Sequence, residues 1–323
     1  MSTFIYYYLR SMRLYYSFVT GSTVLAGLAY GSLVSGESWS GTTVLVLILG
    51  YWAWGINQIF NDWGNLAEDR INAPHRPMVN GNLAIPPALI LSGLLMLALG
   101  IASWLVNPWT LLPLGIGAVL NLVYCGAKGV PVIGCLVYGT SITSCFFYGY
   151  IASTGSAGGL PPFLDYGSLG FWDIALSVCL IHALMCHGSY FKDMAGDQAA
   201  GKRTFQVVFG YQAGLYAGIA ATIPLLFYFW TLIEAGAQRE SGPAEMGALA
   251  PTIAAVWSTV LLIVLYFRLF RREFHAAVLA NCQTCAALTL SVTTVCSNYY
   301  LVAIAGTWVA IRLLFLWYND EQE

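Results

Sequence analysis

Ten apolar runs, each close to the length of a membrane-crossing helix, make up most of this chain. They occupy residues 14–35, 42–61, 86–106, 109–125, 131–152, 171–191, 211–234, 249–270, 276–297 and 299–318. A helix needs about 20 apolar residues to cross about 30 Å of hydrocarbon, and backbone exposed to lipid must form its hydrogen bonds internally. The pattern predicts an all-α, multi-pass integral membrane protein with about nine transmembrane helices, or ten if the last run also crosses.

The composition supports this class of protein and excludes others. The 323 residues are 58% hydrophobic and 9% charged, with a mean hydropathy of +0.69, which excludes an ordinary soluble domain. No long polar block interrupts the apolar runs, so residues 1–323 are expected to form one domain embedded in the lipid bilayer. The net charge of −2, without a basic patch and interleaved aromatics, predicts no nucleic-acid partner.

The positions of Lys and Arg predict how the chain is oriented. If the N-terminus is cytoplasmic and every run crosses once, nearly all of these cations fall on the cytoplasmic side, and Arg239 is the exception. Such a bias sets membrane orientation. The same count places both acidic segments described below on the cytoplasmic face. Residues 153–168 and 235–248, rich in small and polar residues, are expected to be solvent loops on the other face.

The first acidic segment follows the second apolar run. It contains Asn57, Asn61, Asn65 and Asp69 at intervals of four residues, with Asp62 between them. On a helix this spacing stacks side chains on one face. A row of amide and carboxylate oxygens can hold a hard cation such as Mg²⁺ and its phosphate ligand. In the loop that follows, Arg76 can give forked contacts to phosphate oxygens.

The second acidic segment ends the sixth apolar run, about 130 residues later. Asp193 and Asp197 are again four residues apart and can share a cation. Lys192, Lys202 and Arg203 supply positive charge beside them. Ionisable groups in or beside a membrane are costly and usually functional. Two carboxylate clusters that face one cavity would hold Mg²⁺ and, through it, a diphosphate.

These two segments resemble the signatures of the UbiA superfamily of intramembrane prenyltransferases. That family has an N-D-x-x-D-x-x-x-D signature followed by N-x-P-x-R-P, and a second D-x-x-x-D followed by a basic, Gly-rich stretch. The matching residues are Asn61, Asp62, Asp69, Asn72, Pro74, Arg76, Pro77, Asp193 and Asp197. Tyr124 and Lys128 fall where the family often has a Tyr and a Lys at the end of the fourth helix. The resemblance spans most of the chain. Around Asn61 the sequence is similar to the chlorophyll-synthase branch of the family.

The resemblance implies a helical bundle around a central cavity and a Mg²⁺-dependent reaction of a prenyl diphosphate. It assigns metal binding to Asn61, Asp62, Asn65, Asp69, Asp193 and Asp197, all of them except Asp62 also being catalytic. It assigns substrate binding to Asn57, Arg76, Tyr124, Lys128, Tyr190, Lys192 and Arg203. Loss of the diphosphate would leave an allylic carbocation, which aromatic faces stabilise. The aromatic candidates for stabilising this cation are Trp52, Trp54, Trp63, Tyr124, Tyr148 and Tyr190.

One residue departs from the family signature, because Asn65 stands where the middle aspartate is expected. An amide oxygen can bind Mg²⁺ but brings no negative charge, so the affinity should fall. Altered first signatures also occur among UbiA-type terpene cyclases, which use no separate acceptor. Two enzymes therefore stay open: a prenyltransferase acting on an aromatic or other lipophilic acceptor, and a terpene cyclase. A transporter or non-catalytic membrane protein is the third alternative, although transporters place ionisable residues at the bilayer midplane.

Overall fold

The computed structural model describes residues 3–154, 160–239 and 247–319. Its α-helices are α1 (Thr3–Ser11), α2 (Phe18–Ser35), α3 (Gly41–Gly64), α4 (Leu66–Asn72), α5 (Ile85–Val106), α6 (Leu111–Ala127), α7 (Ile133–Thr154), α8 (Phe171–Ala199), α9 (Phe205–Phe209), α10 (Tyr211–Ala221), α11 (Ile223–Ala237), α12 (Leu249–Phe270), α13 (Phe274–Leu290), α14 (Thr293–Cys296) and α15 (Tyr300–Asn319). The protein is all-helical over these ranges, as predicted.

Ten spans within the described residues are long and apolar enough to cross a membrane. The run at 299–318 is one of them and forms α15, so the described residues contain ten candidate spans. The run at 211–234 is divided into α10 and α11 at Thr222. Pro224 lies in the first turn of α11, where its missing N–H costs no helical hydrogen bond.

The first apolar run differs from the prediction. Residues 14–16 form a 3-10 turn, and α2 begins only at Phe18. Arg13 precedes this turn in the left-handed conformation, with φ 47°, which turns the chain before it enters the bundle. The two predicted loops also start later, since α7 extends to Thr154 and α11 to Ala237. Parts of those loops, 155–159 and 240–246, lie outside the described residues, as do 1–2 and 320–323.

Two helices form the inside of the bundle. The spans of α2 and α13 are 78% and 83% buried, whereas those of α5 and α15 are 17% buried and face the lipid. Glycines allow α2 and α7 to touch backbone to backbone: a Cβ on Gly27 would lie 2.2 Å from the Phe146 carbonyl oxygen. Close contact through small residues is a common way to pack membrane helices, because lipid provides no hydrophobic drive between them.

The topology brings both acidic segments to the same end of the bundle. Hydrogen bonds and ion pairs join this end across helices that are far apart in sequence. Lys202, after α8, donates to the Cys125 carbonyl oxygen at 3.3 Å and pairs with Glu68 of α4 at 3.4 Å. Gly196 of α8 donates its N–H to the Asn72 side-chain oxygen at 2.9 Å. A Cβ on Gly196 would lie 2.2 Å from that oxygen, so the glycine leaves room for the Asn72 side chain in this position.

Candidate active site

A polar cavity of about 120 Å³ lies between the two acidic segments. Nine predicted site residues line it: Asn61, Asn65, Asp69, Arg76, Tyr124, Lys128, Tyr190, Lys192 and Asp193. They come from α3, α4, α6, α8 and the loop after α4, so the cavity exists only in the folded bundle. We call it the polar cavity.

Each carboxylate at this end of the bundle has a cationic partner. The pairs are Asp62 with Arg13, Asp69 with Arg76, Asp193 with Lys192 at 3.0 Å, Asp197 with Lys128 at 2.7 Å, and Glu68 with Lys202 at 3.4 Å. Buried charges are tolerated only when they are paired or hydrogen-bonded. The site is therefore nearly neutral as it stands, although it is rich in both signs of charge.

Burial and these ion pairs shift the pKa values of the ionisable groups in opposite directions. Burial raises the pKa of Asp69 above its usual range, although the guanidinium groups of Arg76 and Arg13 lower it. Burial lowers the pKa of Lys128, but the carboxylates of Asp197 and Asp193 raise it by more, so its net shift is upward. Lys128 is thus held protonated, while the charge on Asp69 depends on its cationic neighbours.

The predicted row of asparagines divides between two environments. Asn65 interrupts the helix between α3 and α4, and its side-chain amide donates to the Asn61 carbonyl oxygen at 2.8 Å and side-chain oxygen at 3.0 Å. Asn57 instead accepts a hydrogen bond from the Asn121 amide at 3.1 Å and lies outside the polar cavity. Successive residues rotate by about 100° on a helix, so steps of four drift by about 40° each and cannot hold one face over twelve residues.

Three other predicted residues also lie outside the cavity lining. Asp62 is 2% exposed and is held behind it by Arg13 and by the Gln58 amide at 2.7 Å. Asp197 is fully buried one turn after Asp193. The Arg203 side chain is exposed on the loop after α8. Their assigned roles stay predictions.

Of the aromatic residues considered, Trp54, Tyr124 and Tyr190 line the polar cavity. The Tyr124 and Tyr190 hydroxyls lie 3.2 Å apart, which aligns these two rings along one wall. Trp52 and Trp63 are 47% and 53% exposed, on the outer surface of α3. Tyr148 is buried elsewhere and is hydrogen-bonded to Ser103 at 2.9 Å.

The structure adds cavity residues that the sequence pattern did not predict: Arg13, Tyr16, Gln58, Tyr138 and Ser189 are among them. Asn72, which matches the family signature but had no assigned role, also lines the cavity. Arg13 was counted only among the cations that predict the orientation of the chain in the membrane. Gln58 had a detectable signal, because it stands four residues before Asp62 and binds it. Tyr138 had no such signal in the sequence, because its position in the cavity wall depends on how α7 packs.

The donors in the polar cavity fit Mg²⁺. Asn61, Asn65, Asp69 and Asp193 offer only oxygen ligands, the type that this ion prefers. Asp197 Oδ2 is buried without a hydrogen-bond partner among the described residues. Within the same part of the chain, no three acidic, His or Cys side chains are grouped closely enough to hold a metal by themselves. This is the usual situation for Mg²⁺, which one or two carboxylates and substrate phosphates hold together.

A second, basic cavity of about 180 Å³ adjoins the polar one. It shares Arg13, Tyr16, Asn72, Arg76 and Lys192 with the polar cavity. Its remaining lining includes His75 and His275, together with aromatic residues of α15. The shared residues form a common wall, so a molecule in the second cavity would lie beside one in the first.

Comparison with known proteins gives relatives of moderate similarity. Digeranylgeranylglyceryl phosphate synthase of Thermococcus kodakarensis is 26% identical over 197 residues, which is 60% of this chain and 66% of that protein. The bacteriochlorophyll synthase 33 kDa chain of Cereibacter sphaeroides is 27% identical over 208 residues, or 62% of this chain and 64% of that protein. The chain thus matches slightly less than two thirds of the length of these relatives.

The fold is similar to that of a UbiA homologue from Archaeoglobus fulgidus, solved with DMAPP and Mg²⁺, at a TM-score of 0.60. The alignment covers 89% of this chain and 99% of that one, with 15% identity, so the likeness concerns the fold alone. The same homologue bound to GPP and Mg²⁺ gives a TM-score of 0.59. Residues 19–277, most of the chain, match the family described as the UbiA prenyltransferase family. On this evidence, the chain belongs to the UbiA prenyltransferase family.

Proposed function

We propose that this protein is an intramembrane prenyltransferase, which ionises a prenyl diphosphate and transfers the prenyl group to a lipophilic acceptor. One observation carries the proposal: Asp69 from the first acidic segment and Asp193 from the second line the same cavity. Arg76, Lys128 and Lys192 line it as well, so an anion and a metal ion both find partners there. The names of the relatives, which are synthases of prenylated products, support the same activity.

Asn61, Asn65, Asp69 and Asp193 would hold Mg²⁺, which supplies positive charge to the leaving diphosphate when bound. The chain's own Arg and Lys side chains supply the remaining positive charge. Arg76 and Lys192, which pair with Asp69 and Asp193, line the same cavity and would donate charge-assisted hydrogen bonds to the diphosphate oxygens. Fixed charges that are already in position stabilise a departing anion without reorganisation of solvent.

The reaction breaks the bond between the first prenyl carbon and the diphosphate oxygen, and the electron pair leaves with the diphosphate. The allylic cation then takes an electron pair from the acceptor, which forms the new bond. An acceptor that reacts through a hydroxyl or ring carbon releases one proton, whereas a carboxylate releases none. Trp54, Tyr124 and Tyr190 border the cavity in which this cation would form, and their faces favour positive charge.

We assign the site to the cytoplasmic side of the membrane. Arg13, Arg76, Lys128, Lys192 and Lys202 all contribute contacts at this end of the bundle. Cytoplasmic loops carry an excess of Lys and Arg. Water-soluble diphosphate released there would leave on the same side.

The adjoining basic cavity favours transfer over cyclisation. A cyclase needs room for one folded substrate, whereas a transferase must hold a second molecule beside the first. The common wall made by Arg13, Tyr16 and Arg76 meets that need. A transporter is disfavoured because the charged residues lie at one end of the bundle and pair with one another.

Product analysis tests the proposal. The purified protein in lipid nanodiscs is incubated with labelled geranyl diphosphate and Mg²⁺, with and without acceptors that include a hydroxybenzoate, a prenylglyceryl phosphate and a chlorin carboxylate. We expect prenylated product only with both Mg²⁺ and an acceptor, and loss of that product with Asp193→Asn or with excess chelator. A cyclic hydrocarbon formed without acceptor would instead establish a cyclase. Full turnover in excess chelator would refute the metal-dependent reaction.

A further inference from the structure

One cysteine lines the polar cavity within the described residues. Cys186 of α8 lies in its wall beside Tyr124, Tyr138 and Tyr190. The basic cavity has no cysteine in its described lining. The polar cavity, at about 120 Å³, has room for a hydrogen peroxide molecule, which is about the size of two waters at ~30 Å³ each. A small water-soluble oxidant that enters this cavity therefore meets one thiol, that of Cys186.

The sulfur of Cys186 is hydrogen-bonded to three neighbours. The Tyr124 hydroxyl lies 3.6 Å from Cys186 Sγ and 3.2 Å from the Tyr190 hydroxyl, which contacts the same sulfur. The third partner is the thiol of Cys135, in the first turn of α7. Cys135 is 6% exposed and lies behind the cavity wall, outside the lining. Two free thiols are thus in direct contact, one at the cavity and one buried behind it.

The packing of α7 on α8 explains this contact. The two backbones touch at Gly139, where a Cβ would lie 2.2 Å from the Cys179 carbonyl oxygen and 3.1 Å from the Ala183 nitrogen. The helices run antiparallel, so Cys135, one turn before Gly139, meets α8 about one turn after Ala183, where Cys186 lies. A disulfide requires Cβ atoms about 3.5–4.5 Å apart, a separation favoured where helix backbones approach this closely.

We propose that Cys135 and Cys186 form an oxidation-sensitive thiol pair, which a peroxide converts reversibly into a disulfide, and that this disulfide weakens binding of the prenyl diphosphate. The weakened binding rests on the proposed function, whereas disulfide formation does not. Cytoplasmic thiols are kept reduced, and disulfides that form in that compartment are usually transient and serve in catalysis or redox sensing. The pair would let an oxidant in the cytoplasm lower the activity of the site.

The oxidation proceeds in two steps. First, the Cys186 sulfur attacks one oxygen of hydrogen peroxide and the O–O bond breaks, which leaves a sulfenic acid on Cys186; the thiol proton departs with the second oxygen as water. Next, the Cys135 sulfur attacks the Cys186 sulfur and the S–O bond breaks, so the leaving hydroxide takes the Cys135 proton and forms a second water. The two sulfurs lose two electrons in total, and the peroxide accepts both. A dithiol reverses the reaction by exchange.

The disulfide would change the wall of the polar cavity. It draws the Cys186 sulfur toward Cys135, so the hydroxyls of Tyr124 and Tyr190 lose the partner that they share. The Tyr190 ring also lies under Lys128, whose Nζ is 5.7 Å from the ring centroid. A shift of Tyr190 would therefore disturb an aromatic face and a cation that both border the proposed diphosphate site.

Peptide mass spectrometry tests disulfide formation. The reduced full chain in nanodiscs is treated with hydrogen peroxide, and the remaining thiols are then alkylated. We expect a Cys135–Cys186 disulfide in the wild type, which dithiothreitol removes. Cys135→Ala should form none and should instead accumulate a Cys186 sulfenic acid, which dimedone captures. Cys282→Ala is the matched control, because Cys282 is buried on α13 outside both cavity linings, and it should behave as the wild type. Oxidation of other cysteines without this disulfide would overturn the inference.

Binding of geranyl thiodiphosphate with Mg²⁺ tests the consequence. We expect its Kd to rise by about tenfold in the oxidised wild type, the effect of losing about one or two neutral hydrogen bonds, and to recover with dithiothreitol. Peroxide also oxidises methionine, so the control is Cys186→Ala, which keeps all seven methionines and should show the same Kd before and after peroxide. A disulfide that leaves the Kd unchanged would refute the regulatory role. If the reduced wild type binds no analogue, the proposed function fails, and the disulfide measurement still decides the thiol pair.

Discussion

Lys128 Nζ lies 2.7 Å from Asp197 Oδ1 and so ties the end of α6 to the second acidic segment on α8. The Asp197 side chain is fully buried and that of Lys128 is 11% exposed, so neither charge can be solvated without the other. Removing one partner of a buried pair leaves an uncompensated charge, which is more costly than losing the pair as a whole. The Lys128–Asp197 contact therefore fixes one wall of the polar cavity.

Lys128→Met should destabilise the folded protein by about 3 kcal/mol, because Asp197 would stay buried without its cation. Lys192→Met is the control, since Lys192 and Asp193 are 30% and 19% exposed and water can replace the lost partner. Thermal unfolding in detergent measures both. Adding Asp197→Asn to Lys128→Met should recover part of the loss. No recovery, or an equal loss in the control, would contradict the role of the pair.

Arg76→Lys should weaken binding of a prenyl thiodiphosphate by at least about tenfold, since a lysine keeps the charge but loses the forked hydrogen bonds, worth ~1.5–3 kcal/mol. Lysine is a better test than alanine, because Arg76 also pairs with Asp69, and removing its charge would strand a buried carboxylate. Arg312→Lys, at an exposed position on α15 outside both cavity linings, serves as the control and should bind normally. Unchanged affinity in Arg76→Lys would remove Arg76 from the diphosphate site.

Asn65→Asp should make the protein's stability more dependent on Mg²⁺. The Asn65 amide donates to two oxygens of Asn61, and a carboxylate would repel both unless a cation lies between them. Without Mg²⁺ the variant should melt below the wild type, and added Mg²⁺ should raise its Tm by more. Asn82→Asp, at an exposed position in the loop before α5, should show neither effect. If Mg²⁺ shifts both proteins equally, Asn65 is not in the metal shell.

Asp69→Asn should abolish Mg²⁺-dependent binding of the prenyl thiodiphosphate and leave stability at neutral pH unchanged or raised. Burial raises the pKa of Asp69 despite Arg76, so ionising this carboxyl opposes folding, and a neutral isostere removes that cost. Arg76 keeps a carboxylate neighbour, Asp62, at 3.9 Å. Thermal melts and binding are compared at pH 7. A clear loss of stability would show that Asp69 is mainly a structural partner of Arg76.

Much of this architecture is readable from the chain itself. Uninterrupted apolar runs leave the backbone no alternative to helices in lipid, so the spans were predicted with small errors at their ends. The order of the spans also predicts that the two acidic segments and their cations lie at the same end of the bundle, because every second connection between spans is on the same face. The tenth candidate span was also present in the sequence as the run at 299–318.

The depth and rotation of each polar side chain were decided by packing. Asn57 and Asn61 look equivalent at a spacing of four, but the drift of about 40° turns Asn57 toward Asn121 and away from the polar cavity. Arg13 enters the site because the chain turns before α2, a break that an apolar run does not reveal. Helical periodicity is a local property of the sequence, whereas the partner of each helix face is set by contacts between distant segments, and those contacts form the polar cavity.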